Sequence, residues 1–124
     1  MQGKILVVED EPDQLEAIRA TLKEAGFYVG TATDGVEALE KARSVSPDLI
    51  ILDVMMPKLD GYGVCATLRE DAATASIPIL MLTGLCSYIS KLTGFESGAT
   101  DYILKPFDPE QLVSKVKTML GQPA

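Results

Sequence analysis

Four runs of consecutive apolar residues each stop at a polar one. Ile5-Leu6-Val7-Val8 stops at Glu9-Asp10, and Leu49-Ile50-Ile51-Leu52 at Asp53. Ile79-Leu80-Met81-Leu82 stops at Thr83, and Tyr102-Ile103-Leu104 at Lys105-Pro106. Continuous apolar strands are buried on both faces, the mark of a parallel sheet between helical layers. The predicted strands are Lys4–Glu9, a shorter Tyr28–Ala32, Leu49–Asp53, Ile77–Leu82 and Asp101–Leu104.

Helical spacing fills the gaps. Leu15, Ile18, Leu22 and Ala25 recur on one face of a helix over Asp13–Ala25, which Gly26 stops. Asp34 suits the N-cap of a helix over Gly35–Ser44, and Ser46-Pro47 ends it. A third helix covers Tyr62–Asp71, after a loop over Val54–Asp60 that carries Met-Met-Pro and ends at Asp60-Gly61. A weaker fourth covers Ser87–Ser97. The last covers Pro109–Leu120, with Pro109 in its first turn and Leu112, Val116, Met119 and Leu120 inward. Five strand–helix units with right-handed crossovers give a three-layer α/β/α sandwich. In an open sheet of this kind ligands bind outside the carboxyl ends of the strands, where the strand order switches. Glu9, Asp10, Asp53, Thr83 and Lys105 are therefore expected to meet at one edge.

Composition narrows the function. The chain has 124 residues, the size of one domain, expected to span 1–124 with a core over about 4–120. With 47% hydrophobic residues it can build a core without metal or disulfide staples. The net charge of −7 and pI near 4.5 argue against binding nucleic acid or an anionic membrane surface. No apolar run reaches the roughly 20 residues of a membrane span. Met1-Gln2-Gly3-Lys4 leads into a strand without signal-peptide architecture. Cys65 and Cys86 lack metal-type spacing and are expected to be reduced, in a cytoplasmic protein. The absence of histidine excludes a His-based metal site, a Ser-His-Asp triad and a phosphohistidine relay.

Each polar strand end has a bland reading and a chemical one. Glu11 reads as a charge at a helix N-terminus. Taken alone, Glu9 and Asp10 are a turn's acidic residues; together at a sheet edge they suit Mg²⁺, which one or two carboxylates bind while it keeps several waters. Asp53 is either a turn residue or a carboxylate nucleophile that forms an acyl-phosphate. Clustered with Glu9 and Asp10 its charge is unfavourable without a cation. Thr83 is a buried strand-end hydroxyl or a hydrogen-bond donor to a phosphoryl oxygen, with Gly84 leaving room for the approach. Lys105 is a solvated lysine before a helix or an ammonium that needs an anionic partner. The Lys105-Pro106 peptide is a candidate for cis geometry. Taken together, residues of these types from four strands suit Mg²⁺-dependent phosphoryl transfer, which asks mainly for positioning and charge neutralisation.

At these motifs the chain resembles a response-regulator receiver domain, similar to the chemotaxis-type single-domain regulators. Ile5-Leu6-Val7-Val8-Glu9-Asp10-Glu11, Leu52-Asp53-Val54-Met55-Met56-Pro57, Asp60-Gly61, Leu82-Thr83-Gly84, Gly98-Ala99 and Asp101-Tyr102-Ile103-Leu104-Lys105-Pro106-Phe107 carry the resemblance, from about Lys4 to Leu120. It implies a flavodoxin-like (βα)5 fold with strand order 2-1-3-4-5. It implies that Glu9, Asp10, Asp53 and the Met55 backbone carbonyl bind Mg²⁺. Asp53 would accept a phosphoryl group from a sensor histidine kinase or phosphotransfer protein, and Thr83 and Lys105 would contact it. Thr83 and Tyr102 would then shift, changing the face made by the fourth helix, fifth strand and fifth helix. That face would control an output domain or protein target. Such a protein is a switch that assists its own phosphorylation and dephosphorylation, not a turnover enzyme.

Departures from the family pattern matter. Glu9 stands where the family often has Asp, and both are acidic. Thr100-Asp101-Tyr102 replaces the Asp-Asp-Tyr of many DNA-binding members, and Gln111 and Lys115 replace their Glu and Arg. A phosphorylation-dependent dimer through the face named above is thus only partly supported by the residues. Met55 and Leu85 lie two residues beyond Asp53 and Thr83, where the family borders the path of the hydrolytic water. Being apolar, they predict slow loss of the phosphoryl group.

Three rivals compete. An aspartate-nucleophile phosphatase needs a second Asp two residues after the first, but Met55 follows Asp53 and Pro12 follows Asp10 at that spacing. A flavodoxin-like electron carrier needs a Ser/Thr/Gly-rich phosphate loop, where this chain has Glu9-Asp10-Glu11. A receiver-like module that is never phosphorylated would not need the complete acidic set with Thr83 and Lys105.

Overall fold

The computed structural model describes residues 3–53, 61–83, 98–105 and 107–122. In chain order the elements are β1 (Lys4–Val8), α1 (Pro12–Glu24), β2 (Tyr28–Ala32), α2 (Gly35–Val45), β3 (Leu49–Asp53), α3 (Gly61–Glu70), β4 (Ile79–Thr83), β5 (Asp101–Leu104) and α4 (Pro109–Met119). The five strands form one sheet in the order β2-β1-β3-β4-β5, with every pairing parallel. This is the expected 2-1-3-4-5 order, with four helices among the described residues. The predicted loop Val54–Asp60, the predicted helix Ser87–Ser97, Gly84, Leu85, Cys86 and Pro106 lie outside them.

Side chains alternate across a strand, so each apolar run serves two cores. Leu6, Val8, Ile50, Leu52, Ile79 and Met81 pack with Ala38, Ala42, Val64, Cys65 and Leu68 on the face of α2 and α3. Ile5, Val7, Leu49, Ile51, Leu80, Leu82 and Ile103 pack with Ile18, Leu22, Leu112 and Val116 on the face of α1 and α4. Cys65 is a free, buried thiol, and burial raises its pKa. No helix among the described residues is long and apolar enough to cross a membrane.

The caps follow from side-chain chemistry. Glu11 caps α1, accepting from the Asp13 and Gln14 backbone N–H groups at 3.2 and 2.8 Å, so the helix begins at Pro12, one residue before the predicted start. Asp34 caps α2 by accepting from Glu37 N–H at 2.9 Å, and Glu37 accepts in return from Thr33 N–H at 2.7 Å. Ser46 ends α2 in the left-handed region at φ 50°, a conformation that costs a residue with a Cβ. β4 begins at Ile79, not Ile77. Ile77 N–H instead donates to Thr74 in a turn, and Pro78 has no N–H to give. Register places Asp53 opposite Leu82 and Thr83 opposite Leu104, which brings the polar strand ends to one edge.

Candidate functional site

β1 and β3 are neighbours, so the residues that end them converge. One carboxylate oxygen from each of Glu9, Asp10 and Asp53 lies within 4.8 Å of the others. Asp10 is exposed, whereas Glu9 and Asp53 are only 1% and 4% exposed. Two buried carboxylates side by side are unfavourable when both are ionised. Burial, with the neighbouring Asp53 next in weight, pushes the Glu9 pKa up to about 7, against opposing contributions from Glu11 N–H and Lys105.

Lys105 follows β5 and reaches back across the sheet edge. Its Nζ lies 3.1 Å from Asp53 Oδ2 and 3.8 Å from Glu9 Oε1. One ammonium against three carboxylates leaves excess negative charge. The donor set is hard oxygen, partly buried and anionic, which fits Mg²⁺ or a similar divalent cation. A cation at these oxygens would also offset the repulsion from Asp53, which adds to burial in raising the Glu9 pKa.

Thr83 ends β4, 5% exposed and one register position beyond the level of Asp53. Tyr102 is half-buried in β5 and packs against the core beneath α2 and α3. Met55, expected as a carbonyl ligand, lies outside the described residues. Asp101 is engaged within the chain by Lys115 of α4, Nζ to Oδ2 at 3.0 Å, and Gln111 sits in the first turn of α4, where its N–H donates to the capping Asp108.

Two features escaped the sequence reading. Gln14 Nε2 donates to Glu9 Oε1 at 2.8 Å. Its only sequence signal is an amide in the first turn of the helix that follows the acidic pair. Arg69, in the last turn of α3, sits in a cage of acceptors: Nε donates to Gly98 O at 2.8 Å, Nη1 to Ala75 O and Ile77 O at 3.0 and 2.6 Å, and Nη2 to Thr100 Oγ1 at 3.2 Å. An arginine beside the buried Leu68 is the corresponding signal.

The family model for the response regulator receiver domain matches residues 5–117. The chain is 44% identical over 117 residues to the DNA-binding dual master transcriptional regulator RpaA of a Synechocystis strain, covering 94% of this chain and 48% of that protein. It is 48% identical over 120 residues to the alkaline phosphatase synthesis transcriptional regulatory protein PhoP of Bacillus subtilis, covering 97% of this chain and 49% of that one. The chain thus spans about half the length of the curated relatives it matches. Among solved structures it superposes on the chemotaxis response regulator CheY4 of Vibrio cholerae with a TM-score of 0.91 at 38% identity, covering 96% of this chain and 99% of that one. It superposes equally, at 0.91 and 30% identity, on the receiver domain of the sensor histidine kinase PA1611 of Pseudomonas aeruginosa, covering 98% and 100%. That structure has a magnesium ion coordinated in its active-site cleft.

Proposed function

The chain belongs to the response-regulator receiver family, and from that premise we propose that it is a Mg²⁺-dependent phosphorylation switch with Asp53 as its phosphoacceptor. The observation that carries this reading is Lys105 Nζ at 3.1 Å from Asp53 Oδ2, beside the Glu9 and Asp10 carboxylates. A carboxylate oxygen of Asp53 attacks phosphorus, and the bond from phosphorus to the donor's histidine nitrogen breaks. The product is an acyl-phosphate, and the donor imidazole leaves with its electron pair. Glu9, Asp10 and Asp53 would hold Mg²⁺, with the Met55 carbonyl as the further ligand that the family resemblance implies. When bound, the ion neutralises charge on the transferring phosphoryl group. Lys105 exchanges part of its pairing with Asp53 for a phosphoryl oxygen, and the Thr83 hydroxyl donates to another.

Thr83 and Tyr102 then carry the change to the surface formed by β5 and α4. A local charge event biases two packings of one surface. The donor is a sensor histidine kinase or phosphotransfer protein, and the reader an output domain or separate protein in the cytoplasm. The protein's product is an altered face, so it is a switch and not a turnover enzyme. Lys115 and Asp101, on that face, are already paired with one another. A phosphorylation-dependent dimer there would have to compete with this contact.

Intact mass after incubation with acetyl phosphate tests the reading, with Mg²⁺ or EDTA, for wild type and Asp53→Asn. One Mg²⁺-dependent phosphoryl adduct, lost in the variant, is the expected result. An adduct that survives Asp53→Asn would overturn the assignment. No adduct from acetyl phosphate or from a cognate kinase would favour a binding module that is never phosphorylated.

A further inference from the structure

Glu9 carries one methylene more than the aspartate that the family often has at this position. Its carboxylate therefore has one more torsion to fix before it can serve as a ligand. The first turn of α1 supplies the restraint. Gln14 Nε2 donates to Glu9 Oε1 at 2.8 Å, and Glu11 N–H donates to Oε2 at 3.2 Å. Gln14 is itself set by Glu11, whose capping carboxylate accepts from Gln14 N–H at 2.8 Å. The cap that starts the helix thus aims an amide side chain at a buried carboxylate five residues earlier.

The chemistry at position 14 is selective. A Lys or Arg there would bring a cation to compete with a metal for the same oxygens. An acid would add a like charge, and an apolar side chain would leave Oε1 without this donor. An amide orients the carboxylate and leaves its net charge in place. Each carboxylate oxygen has two lone-pair directions, so a hydrogen bond on one leaves another for a ligand. Partners of this kind are what fix ligand geometry at metal sites.

We infer that Gln14 is a positioning residue for Mg²⁺ binding, acting through the Glu9 carboxylate. The inference rests on the reading of Glu9, Asp10 and Asp53 as a Mg²⁺ site. Amide chemical-shift titration with Mg²⁺ tests it, on wild type, Gln14→Met, Glu9→Asp and the double variant. Methionine matches glutamine in length and helix preference but has no donor. Gln14→Met is expected to weaken Mg²⁺ binding about tenfold, the lower end of the range for outer partners of a metal ligand. In the Glu9→Asp background the shortened carboxylate withdraws from Gln14, and Gln14→Met should add no further loss. A Kd for Gln14→Met within about twofold of wild type would overturn the inference while leaving the metal site standing. So would an equal loss in both backgrounds, or a lower urea midpoint in EDTA with an unchanged Mg²⁺ Kd. Absence of any Mg²⁺ response in the wild type at millimolar concentrations would overturn both the metal site and the role of Gln14.

Discussion

Lys105 Nζ stands 3.1 Å from Asp53 Oδ2 and 3.8 Å from Glu9 Oε1, so a single ammonium faces two buried carboxylates, one at the end of β3 and one just after β1. Its removal leaves their repulsion uncompensated. In EDTA at pH 8, Lys105→Met is expected to destabilise the fold by about 2 kcal/mol. That is below the roughly 3–5 of a fully buried pair, because the lysine side chain retains 25% exposure. Mg²⁺ should restore part of the loss, since it supplies the missing positive charge. Urea denaturation with and without Mg²⁺ reads both effects, and a variant as stable as wild type in EDTA would refute this account of Lys105.

Glu9 makes stability depend on pH in a direction opposite to most carboxylates. Its folded-state pKa is raised from 4.5 to about 7, so the folded state binds its proton more tightly than the unfolded chain does. The resulting stabilisation is fully present below pH 4.5, declines as pH rises to about 7, and is absent above. Glu37 and Asp71, whose pKa values are lowered by their hydrogen bonds to Thr33 and Ala73, act in the opposite sense. The comparison with Glu9→Gln isolates the Glu9 contribution. In EDTA, the stability of wild type relative to Glu9→Gln should fall across pH 4.5–7 by on the order of 3 kcal/mol and then level off. A difference independent of pH would refute it.

Arg69 joins α3 to the chain that enters β4 and β5, through three backbone carbonyls and the Thr100 hydroxyl. That hydroxyl also accepts from Ile79 N–H at 3.0 Å, the first residue of β4. Arg69→Lys should cost about 2 kcal/mol, because one ammonium cannot meet acceptors spread around a planar guanidinium. Gly98 takes φ +106°, and a Cβ there would lie 2.6 Å from Arg69 Cγ. Gly98→Ala should cost a similar amount, about 2 kcal/mol. Truncating Arg69 to alanine removes the clashing atom, so the cost of Gly98→Ala should shrink in that background. Additive losses in a double-mutant cycle would count against the contact.

Met55 and Leu85 lie outside the described residues; both are apolar, at positions where the family resemblance leads one to expect the path of the hydrolytic water. Neither can orient that water by hydrogen bonding. Phosphorylated Asp53 is expected to persist, and Met55→Asn to shorten its lifetime severalfold, as general-base or water-orienting groups accelerate such steps. Decay of the phosphoryl adduct, followed by mass after removal of the donor, decides it. Equally rapid loss from wild type and Met55→Asn would sink the idea.

Much of the site was legible in the residues because a parallel sheet imposes a simple geometry. Glu9, Asp53, Thr83 and Lys105 each close an apolar run, and the carboxyl ends of parallel strands share one edge. The Gln14–Glu9 contact was not legible. It depends on the helix starting at Pro12, one residue earlier than periodicity suggested, and on the cap that Glu11 makes. The displacement of β4 from Ile77 to Ile79 was only half legible: Pro78 hints at it, but the turn at Thr74 and the Thr100 hydroxyl that take the Ile77 and Ile79 donors are tertiary.

Sequence alone determined the number of the described strands, the two-sided burial of the sheet and the chemical types at its edge. These follow from local hydrophobic period and from residues that terminate it, both properties of short segments. Tertiary structure decided which charges face one another and how strongly. Lys105 meets Asp53 across 52 positions of chain. The Glu9 pKa rises because burial and Asp53 act on it together. Such quantities depend on distance and dielectric, which segments acquire only once they have packed.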